Sequence, residues 1–235
     1  MAETTRGRPS RRERPAKPAL TYAGIVAAAV QIMEAEGHER VTMRRLAQVL
    51  DTGPASLYVY VRDAAELHAA VLDHMLARAD LAPVHSPGDW RDRLAAVLGS
   101  YVMVLFEHPA LARSALVTRP SGPHTLALID ALLSLLDEGG VPGDQAAWGI
   151  DLLLLFATAT AAEQATRAGA AGAEAEERAS ELALRSADPQ AFPRIAALAG
   201  ELLSGPGPRR LAWGLRAVID GVLHTPLPPD QPPAA

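Results

Sequence analysis

Apolar residues recur at intervals of three and four along most of this chain, which is the spacing of one face of an α-helix. The pattern is clearest near the N-terminus, where one face is formed by Tyr22, Ile25, Val26, Ala29, Ile32 and Met33. No stretch shows the sustained alternation of β-branched and polar residues that is typical of a half-buried strand. The apolar residues are mostly Ala and Leu, which favour helices, and aromatic residues make up only 4%. The sequence therefore predicts an all-α fold.

The composition excludes several kinds of site and compartment. The chain has 235 residues, 49% of them hydrophobic, which is enough to form a core. It has no cysteine, so disulfides and thiolate metal sites are excluded. No apolar run reaches the roughly 20 residues that span a membrane. The charged N-terminus lacks the apolar region of a signal peptide. We therefore expect a cytoplasmic protein.

The charge of the chain is unevenly distributed. The net charge is −5, yet residues 1–62 contain ten Lys and Arg against six Asp and Glu, while the remainder contains twelve against twenty-one. A basic N-terminal part on an acidic remainder indicates that only the N-terminal part meets a polyanion such as DNA. A basic tail without any partner is the alternative that charge alone leaves open.

Capping residues and breakers predict where the helices begin and end. Thr21 caps a first helix that stops at Gly37, and Thr42 caps a second. A third helix runs from Pro54 to about Tyr60. Asp63 and Glu66 form a capping box for a fourth helix that reaches about Arg78. After a Pro- and Gly-containing junction at 81–89, helices are predicted at 89–107, 109–115, 122–138, 144–168, 174–186, 189–203 and 207–223.

The segment 42–60 has the pattern of a helix-turn-helix. Two short helices are joined by the tight turn Asp51-Thr52-Gly53, and the second helix of such a motif lies in the major groove of DNA. Small or polar side chains at Ala55 and Ser56 allow close approach to the bases. The hydroxyl groups of Tyr58 and Tyr60 can donate hydrogen bonds to phosphates.

The N-terminal part of the chain resembles the tetracycline-repressor (TetR) family. It shares with that family three short helices, then the run Leu-Tyr-Val-Tyr-Val-Arg-Asp (57–63), then a long linking helix. The resemblance is specific over residues 20–70. Further along, the turn Thr118-Arg119-Pro120 and the stretch Arg216–Gly221 are similar to the tetracycline repressors. The resemblance implies a homodimeric transcriptional regulator, most simply a repressor that leaves a palindromic operator when a small molecule binds.

The resemblance also implies roles for individual residues. Thr42 would cap the second helix and touch a phosphate, and Arg44 would read guanine through O6 and N7. Ala64 replaces a lysine common at the start of the fourth helix, which removes one phosphate contact that Arg62 or the basic arm would have to supply. The predicted DNA-binding residues are Thr42, Arg44, Arg45, Pro54, Ala55, Ser56, Tyr58, Tyr60 and Arg62.

The motif and the resemblance together divide the chain into parts. These are a disordered basic arm (1–19), a helix-turn-helix DNA-binding domain (20–66), an effector-binding and dimerisation domain (67–225) and a disordered Pro-rich tail (226–235). The helix at 64–80 links the two domains.

The C-terminal helices suggest a dimer interface. Family resemblance implies that helix 144–168 and the last helix form a four-helix bundle with their mates. In the last helix, an apolar stripe is formed by Leu211, Leu215, Val218 and Val222, and room for close approach is left by Gly214, Ala217 and Gly221. A palindromic operator requires a dimer, although a monomer core would explain the same stripe.

Polar residues on otherwise apolar helices suggest an effector pocket. Asp151 and Thr158 are seven residues apart, hence on one helical face, with Leu155 between them. The predicted ligand-binding residues are Tyr101, Phe106, His108, Arg119, His124, Trp148, Asp151, Leu155 and Thr158.

We predict no cofactor, metal or catalytic residue. The seven histidines lack metal-ligand spacing, and by resemblance Asp80 and Ala115 occupy the positions of the effector-binding histidines of tetracycline repressors. No phosphate-binding loop, dinucleotide fingerprint or nucleophile elbow is present. The alternatives are a sequence-independent DNA-coating protein, which would need basic charge spread along the chain, or an enzyme without a recognisable motif.

Overall fold

A computed structural model describes residues 19–229, which form eleven α-helices and no strand. The helices are α1 (Tyr22–Glu36), α2 (Met43–Val49), α3 (Pro54–Leu57), α4 (Ala64–Leu76), α5 (Trp90–Phe106), α6 (Pro109–Ala115), α7 (Pro123–Glu138), α8 (Gly143–Gly169), α9 (Ala173–Arg185), α10 (Pro193–Leu202) and α11 (Gly207–His224). The all-α prediction is confirmed. The predicted disordered arm (1–19) and tail (226–235) lie outside the described residues, except for residue 19 and residues 226–229, which are not helical.

The helix starts that the sequence predicts from capping residues are confirmed. The side chains of Thr21, Thr42 and Asp63 each accept a hydrogen bond from a backbone N–H in the first turn of the helix that follows. The capping box differs in one detail. Glu66 accepts from the backbone N–H of Arg62, at 2.7 Å, instead of that of Asp63. The box therefore extends one residue before the helix.

Three boundaries differ from the predicted ones by two residues or more. α3 ends at Leu57 rather than near Tyr60, because the chain turns there and the N–H groups of Tyr60 and Val61 both donate to the Leu57 carbonyl. α4 ends at Leu76, short of the predicted 78–80. α10 begins at Pro193 rather than at 189, since a residue that precedes proline is disfavoured in helical conformation.

One apolar core runs from α1–α3, which we call the head, through α4 into α5–α11, which we call the body. Within the body, α9 and α10 bury no residue and contribute nothing to this core. On α4, the side chains of Leu67, Val71 and Met75 are fully buried. α8 lies at the centre of the body and packs against α5, α6, α7 and α11. By length and composition α8 could cross a membrane, but half of its most apolar stretch is buried inside the fold. The linking helix and the head thus share one continuous core with the body.

Candidate nucleic-acid interface and effector site

The turn between α2 and α3 is built by backbone hydrogen bonds at the end of α2. The N–H of Thr52 donates to the carbonyl of Ala47 at 2.9 Å, and the N–H of Asp51 donates to that of Gln48 at 3.2 Å. Asp51 has φ 47°, the left-handed conformation that this Schellman ending requires. The chain therefore reverses within a few residues, and α3 follows α2 as the predicted helix-turn-helix requires.

One face of α3 points to solvent while its other face anchors it. Leu57 is fully buried, whereas Pro54, Ala55 and Ser56 are exposed. A four-residue helix cannot be stable alone, so the buried Leu57 and Val61 hold it against the head. Beyond α3, Tyr58 and Tyr60 are 53% and 39% exposed, which is unusual for aromatic side chains in a small domain. The predicted groove-facing residues thus lie on one open surface.

The two adjacent arginines of α2 have different environments. The guanidinium of Arg45 donates to both carboxylate oxygens of Glu36 on α1, with Nε distances of 3.1 and 3.0 Å. This hydrogen bond lowers the pKa of the Glu36 carboxyl and raises that of Arg45. Arg44 is exposed and has no hydrogen bond or ion pair with another described residue. Arg44 is therefore the arginine of α2 that is available to a ligand.

Arg62 lies at the end of the head, next to the start of α4. Its Nε donates to Glu66 at 3.0 Å, and its side chain is 85% exposed. The pKa of Glu66 is lowered first by the hydrogen bond from the Arg62 backbone and then by the Arg62 side chain. Arg62 is partly neutralised but remains at the surface.

The structure adds residues that the sequence analysis missed. An open depression of about 580 Å³ is lined by Arg44, Gln48, Thr52 and Pro54, among others. Gln48 lies four residues after Arg44 and hence on the same face of α2. That spacing is the signal that could have identified it.

The structure places two of the predicted ligand-binding residues in direct contact. The hydroxyl groups of Tyr101 on α5 and Thr158 on α8 are 2.6 Å apart, and both side chains are buried. Burial raises the pKa of Tyr101, while the hydrogen bond to Thr158 partly opposes this. These two residues form one buried polar pair inside the body.

Four other predicted residues lie elsewhere. Arg119 and His124 line a groove of about 920 Å³ between α1, α4 and the segment that joins α6 to α7. Arg119 is exposed and has no hydrogen bond or ion pair to the described part of the chain. Phe106 and His108 lie at the end of α5 and just before α6, and the Nε2 atom of His108 is buried without a hydrogen-bond partner.

The remaining predicted ligand-binding residues do not face these sites. Trp148, Asp151 and Leu155 all lie on the exposed face of α8, and Trp148 is 62% exposed. Asp151 does not share the buried environment of Thr158, because Asp151 is exposed whereas Thr158 is 6% exposed. The predicted single pocket that contains all nine residues is therefore not formed within one chain. No cluster of three metal-ligating side chains occurs among residues 19–229.

The predicted dimer stripe of the last helix is also placed differently. Leu215 and Val222 are buried against the same chain, because α11 packs its apolar face on α8 and α5. The space beside Gly214 is also occupied by the same chain, since a Cβ there would lie 2.7 Å from the ring of Phe156. Ala217 is exposed, and a Cβ at Gly221 would meet nothing within 4 Å, so only these two small residues remain open. The stripe thus belongs to the core of the body.

These features define an all-helical helix-turn-helix protein with a large helical body. A family model described as "Tetracyclin repressor-like, C-terminal domain" matches residues 82–225, more than half of the chain. The chain belongs to the tetracycline-repressor-like family.

Known proteins agree with this assignment. SCO7704 of Streptomyces coelicolor, a proposed transcription regulator, is 52% identical with a TM-score of 0.76, and the match covers 92% of this chain and 100% of that one. The TetR-family protein ActR of the same organism, in complex with actinorhodin, is 36% identical with a TM-score of 0.77 over 88% of this chain and 96% of ActR. The HTH-type transcriptional repressor DrrR1 of Streptomyces coeruleorubidus is 34% identical over 53% of this chain and 46% of its own length. The matches span about half the length of the curated relatives.

Proposed function

We propose that this protein is a ligand-responsive transcriptional repressor that binds a palindromic operator as a homodimer and leaves it when a small molecule binds the body. The observation that carries the proposal is the exposed surface of α3 with the unpaired Arg44 beside it. Family membership and the relatives named as a repressor and as a ligand-bound regulator support it. The proposal assigns the protein no enzymatic activity and a cytoplasmic location.

The predicted DNA-binding residues fall into two roles. Pro54, Ala55 and Ser56 are exposed at the open side of the motif and would face the groove. The exposed Arg44 beside them would reach base edges. Polar groups around them would hold phosphates and set the register of the head on DNA; these are Thr42, Arg45, Tyr58, Tyr60 and Arg62. The head would correspond to a domain at 20–66 and the body to one at 67–225.

A second copy of the chain would cover the outer face of α8. Trp148, Leu152 and Leu155 are spaced by four and three residues, so they form one apolar stripe that is more than half exposed. On the neighbouring α11, Trp213 is exposed and Gly221 leaves open space. Exposed apolar stripes of this size favour a partner, and a twofold interface pairs the same patch on both copies.

The groove beside α4 is the effector site that we propose. Its volume of about 920 Å³ suits a drug-sized molecule. Arg119 offers a free cation, and His124 offers a polar group that can donate or accept. A molecule in this groove would touch both α1 and α4, and hence could change the position of the head.

Selection of duplexes from a random pool by the purified full-length protein tests the DNA-binding proposal. We expect an enriched palindrome whose half-sites lie in successive major grooves, about 34–36 Å apart. A DNA-coating protein would instead enrich no sequence and would protect DNA without a defined boundary.

Identification of any small molecule that is released on denaturation tests the effector proposal. Added back, that molecule should lower operator affinity, and Arg119→Ala should reduce the effect. Thr158→Val serves as the comparison, because Thr158 lies in the other candidate location. A response lost in Thr158→Val and retained in Arg119→Ala would move the effector site to the interface of α5 and α8.

A further inference from the structure

A buried carboxylate on α4 caps a helix of the body. Asp73 is 7% exposed, and its Oδ1 accepts hydrogen bonds from the backbone N–H of Thr125 at 2.8 Å and from the Thr125 hydroxyl at 2.7 Å. Thr125 is the third residue of α7, where an N-terminal cap normally attaches. The residue in the cap position of α7 is Gly122, which has no side chain to make that bond. The cap of α7 is therefore supplied by α4.

Gly122 allows this contact by its lack of a side chain. A Cβ atom at Gly122 would lie 2.2 Å from Oδ2 of Asp73, closer than any real contact. The carboxylate therefore sits directly against the backbone at the start of α7, where the helix dipole favours a negative charge. Within residues 19–229, Asp73 forms no ion pair that would hold it from another side. Its hydrogen bonds to α7 are the groups that compensate its burial.

No other side chain of α4 in the described chain hydrogen-bonds to the body. The side chain of Glu66 accepts a hydrogen bond from Arg62, which lies just before α4. The side chain of His68 contacts the carbonyl of Val41, which lies between α1 and α2. The Asp73 contact also lies at the wall of the groove beside α4, which Asp73, Gly122 and His124 all line. The contact thus connects the helix that carries the head, the body and the groove.

We infer that Asp73, Gly122 and Thr125 form a joint that couples the position of the head to the first turn of α7. The inference rests on the proposed function, since it concerns how DNA binding and the body influence each other. α4 leads from the head into the body, so a shift of α4 relative to α7 must strain or break the joint. Asp73 is accordingly a positioning residue that acts through its hydrogen bonds to Thr125 and does not lie on the DNA-facing surface of the head.

Linkage makes the joint measurable without knowledge of the effector. If the joint couples the two regions, opening of the first turn of α7 lowers the affinity of the head for operator DNA. By linkage, operator DNA must then oppose that opening by the same factor. The N–H of Thr125 donates one of the hydrogen bonds of the joint. The rate at which this amide exchanges with solvent therefore reports how often the joint opens. A merely structural contact would protect this amide equally with and without DNA.

Amide hydrogen exchange of residues 122–130 in the full-length protein, with and without the selected operator duplex, tests the joint. In the unaltered protein we expect DNA to slow exchange there by about fivefold or more, the lower end of typical coupling. Thr125→Val removes only the hydroxyl bond, and Asp73→Asn removes the charge. Both should reduce the DNA-dependent change to less than about twofold while operator binding persists, and Thr125→Ser should restore it.

Gln145→Met is the matched control. Gln145 is equally buried and donates to carbonyls at the end of α11, so its loss removes a hydrogen bond within the body alone. It should leave the DNA-dependent change intact. If Asp73→Asn fails to fold, Thr125→Val decides the outcome. A DNA-independent exchange rate in the unaltered protein, or an unchanged DNA effect in Thr125→Val, overturns the joint, whereas failure to enrich any operator overturns the proposed function instead.

Discussion

Arg44 and Arg45 lie side by side on α2, yet their partners differ. Arg45 is held by Glu36 of α1, while Arg44 projects from the surface next to the turn and Pro54. In the sequence the two are equivalent members of an Arg-Arg pair. What separates them is the packing of α2 on α1, which brings Glu36 to one residue and not to the other. At the residue scale, the sequence can therefore nominate a pair but cannot say which member is free.

Arg44→Ala should weaken binding to the selected operator by about 1–3 kcal/mol and relax its preference at one base pair in each half-site. The reason is that a free guanidinium can form two hydrogen bonds with guanine. Fluorescence anisotropy with the operator and its single-base variants measures both effects. Arg45→Ala is the control and should cost less, because its charge is already paired. An equal loss on every duplex would mean that Arg44 contacts only phosphate.

His38 lies where the head meets α4 and α6. Its Nδ1 is buried without a hydrogen-bond partner, and its ring centroid is 4.7 Å from that of His68. Burial, then the charges of His68 and Arg113, hold the pKa of His38 below its usual 6.5, with Glu39 opposing them. Since the folded state binds this proton less readily than the unfolded state, His38 makes the free energy of unfolding fall as pH falls below about 6.5.

His38→Gln should therefore reduce the loss of stability between about pH 7 and the lower folded-state pKa of His38. Urea unfolding across this range measures the free energy of unfolding for each protein. His85→Gln, at an exposed histidine, provides the comparison and should follow the unaltered protein. Identical pH profiles for His38→Gln and the unaltered protein would show that another group carries the dependence.

At the scale of helices, local chemistry predicted most of the fold. Starts at Thr21, Thr42 and Asp63 were predictable because a cap is made within one turn of the chain. Which way a helix faces was not predictable. The stripe on α11 faces inward and Trp148 on α8 faces outward, because several apolar residues surround each helix and only the neighbouring helices decide which are covered.

Gly139 illustrates a constraint that only packing reveals. A Cβ at this position, between α7 and α8, would lie 2.3 Å from the indole ring of Trp90 on α5. Its φ of −74° is accessible to any residue, so the constraint is steric and not conformational. Gly139→Ala should lower the free energy of unfolding by about 1–3 kcal/mol, the usual cost of overpacking.

Gly143→Ala is the matched control for this prediction, because a Cβ at the start of α8 would meet nothing within 4 Å. It should be neutral or slightly stabilising, since alanine reduces the freedom of the unfolded chain. Thermal unfolding followed by circular dichroism measures both variants. A loss of similar size in both would show that the contact with Trp90 is not what constrains Gly139.

At the scale of the whole molecule, two surfaces of a single chain would gain a partner in a dimer, namely α3 and the outer face of α8. A single head presents one α3, whereas a palindromic operator offers two half-sites. The outer face of α8 presents an apolar stripe that water covers in the monomer. A twofold dimer would resolve both features at once. The four-helix bundle of α8 and α11 with their mates, which the family resemblance implies, stays a prediction, and the residues on the outer face of α8 could be assigned only from the structure.

Leu155→Glu should convert the proposed dimer to a monomer at micromolar concentration, because it puts a charge at one end of the apolar stripe of α8. Sedimentation velocity measures the mass of the species in solution. Leu126→Glu is the control, since Leu126 is equally exposed but lies on α7. Operator affinity should fall with loss of the dimer, because each monomer can occupy only one half-site. A Leu155→Glu dimer would place the interface elsewhere.

Charge along the chain sets the last expectation for the whole molecule, which concerns residues 1–19. Six basic residues precede the first helix, namely Arg6, Arg8, Arg11, Arg12, Arg14 and Lys17. Each one that neutralises a phosphate releases a condensed counterion, so the logarithm of the binding constant falls with the logarithm of salt concentration by about 0.9 per contact. Deletion of residues 1–19 should therefore weaken operator binding and flatten its salt dependence.

Two measurements on three proteins separate the contribution of these residues from that of the head. Anisotropy titrations from about 50 to 200 mM salt give the slope for the unaltered and the shortened proteins. Circular dichroism should show that the fold survives, since none of the core side chains of the described structure lies before Leu20. A third protein, in which the six basic residues are replaced by serine at unchanged length, distinguishes charge from length. Equal slopes in all three proteins would mean that these residues do not contact DNA, and the head alone would then carry the whole electrostatic part of binding.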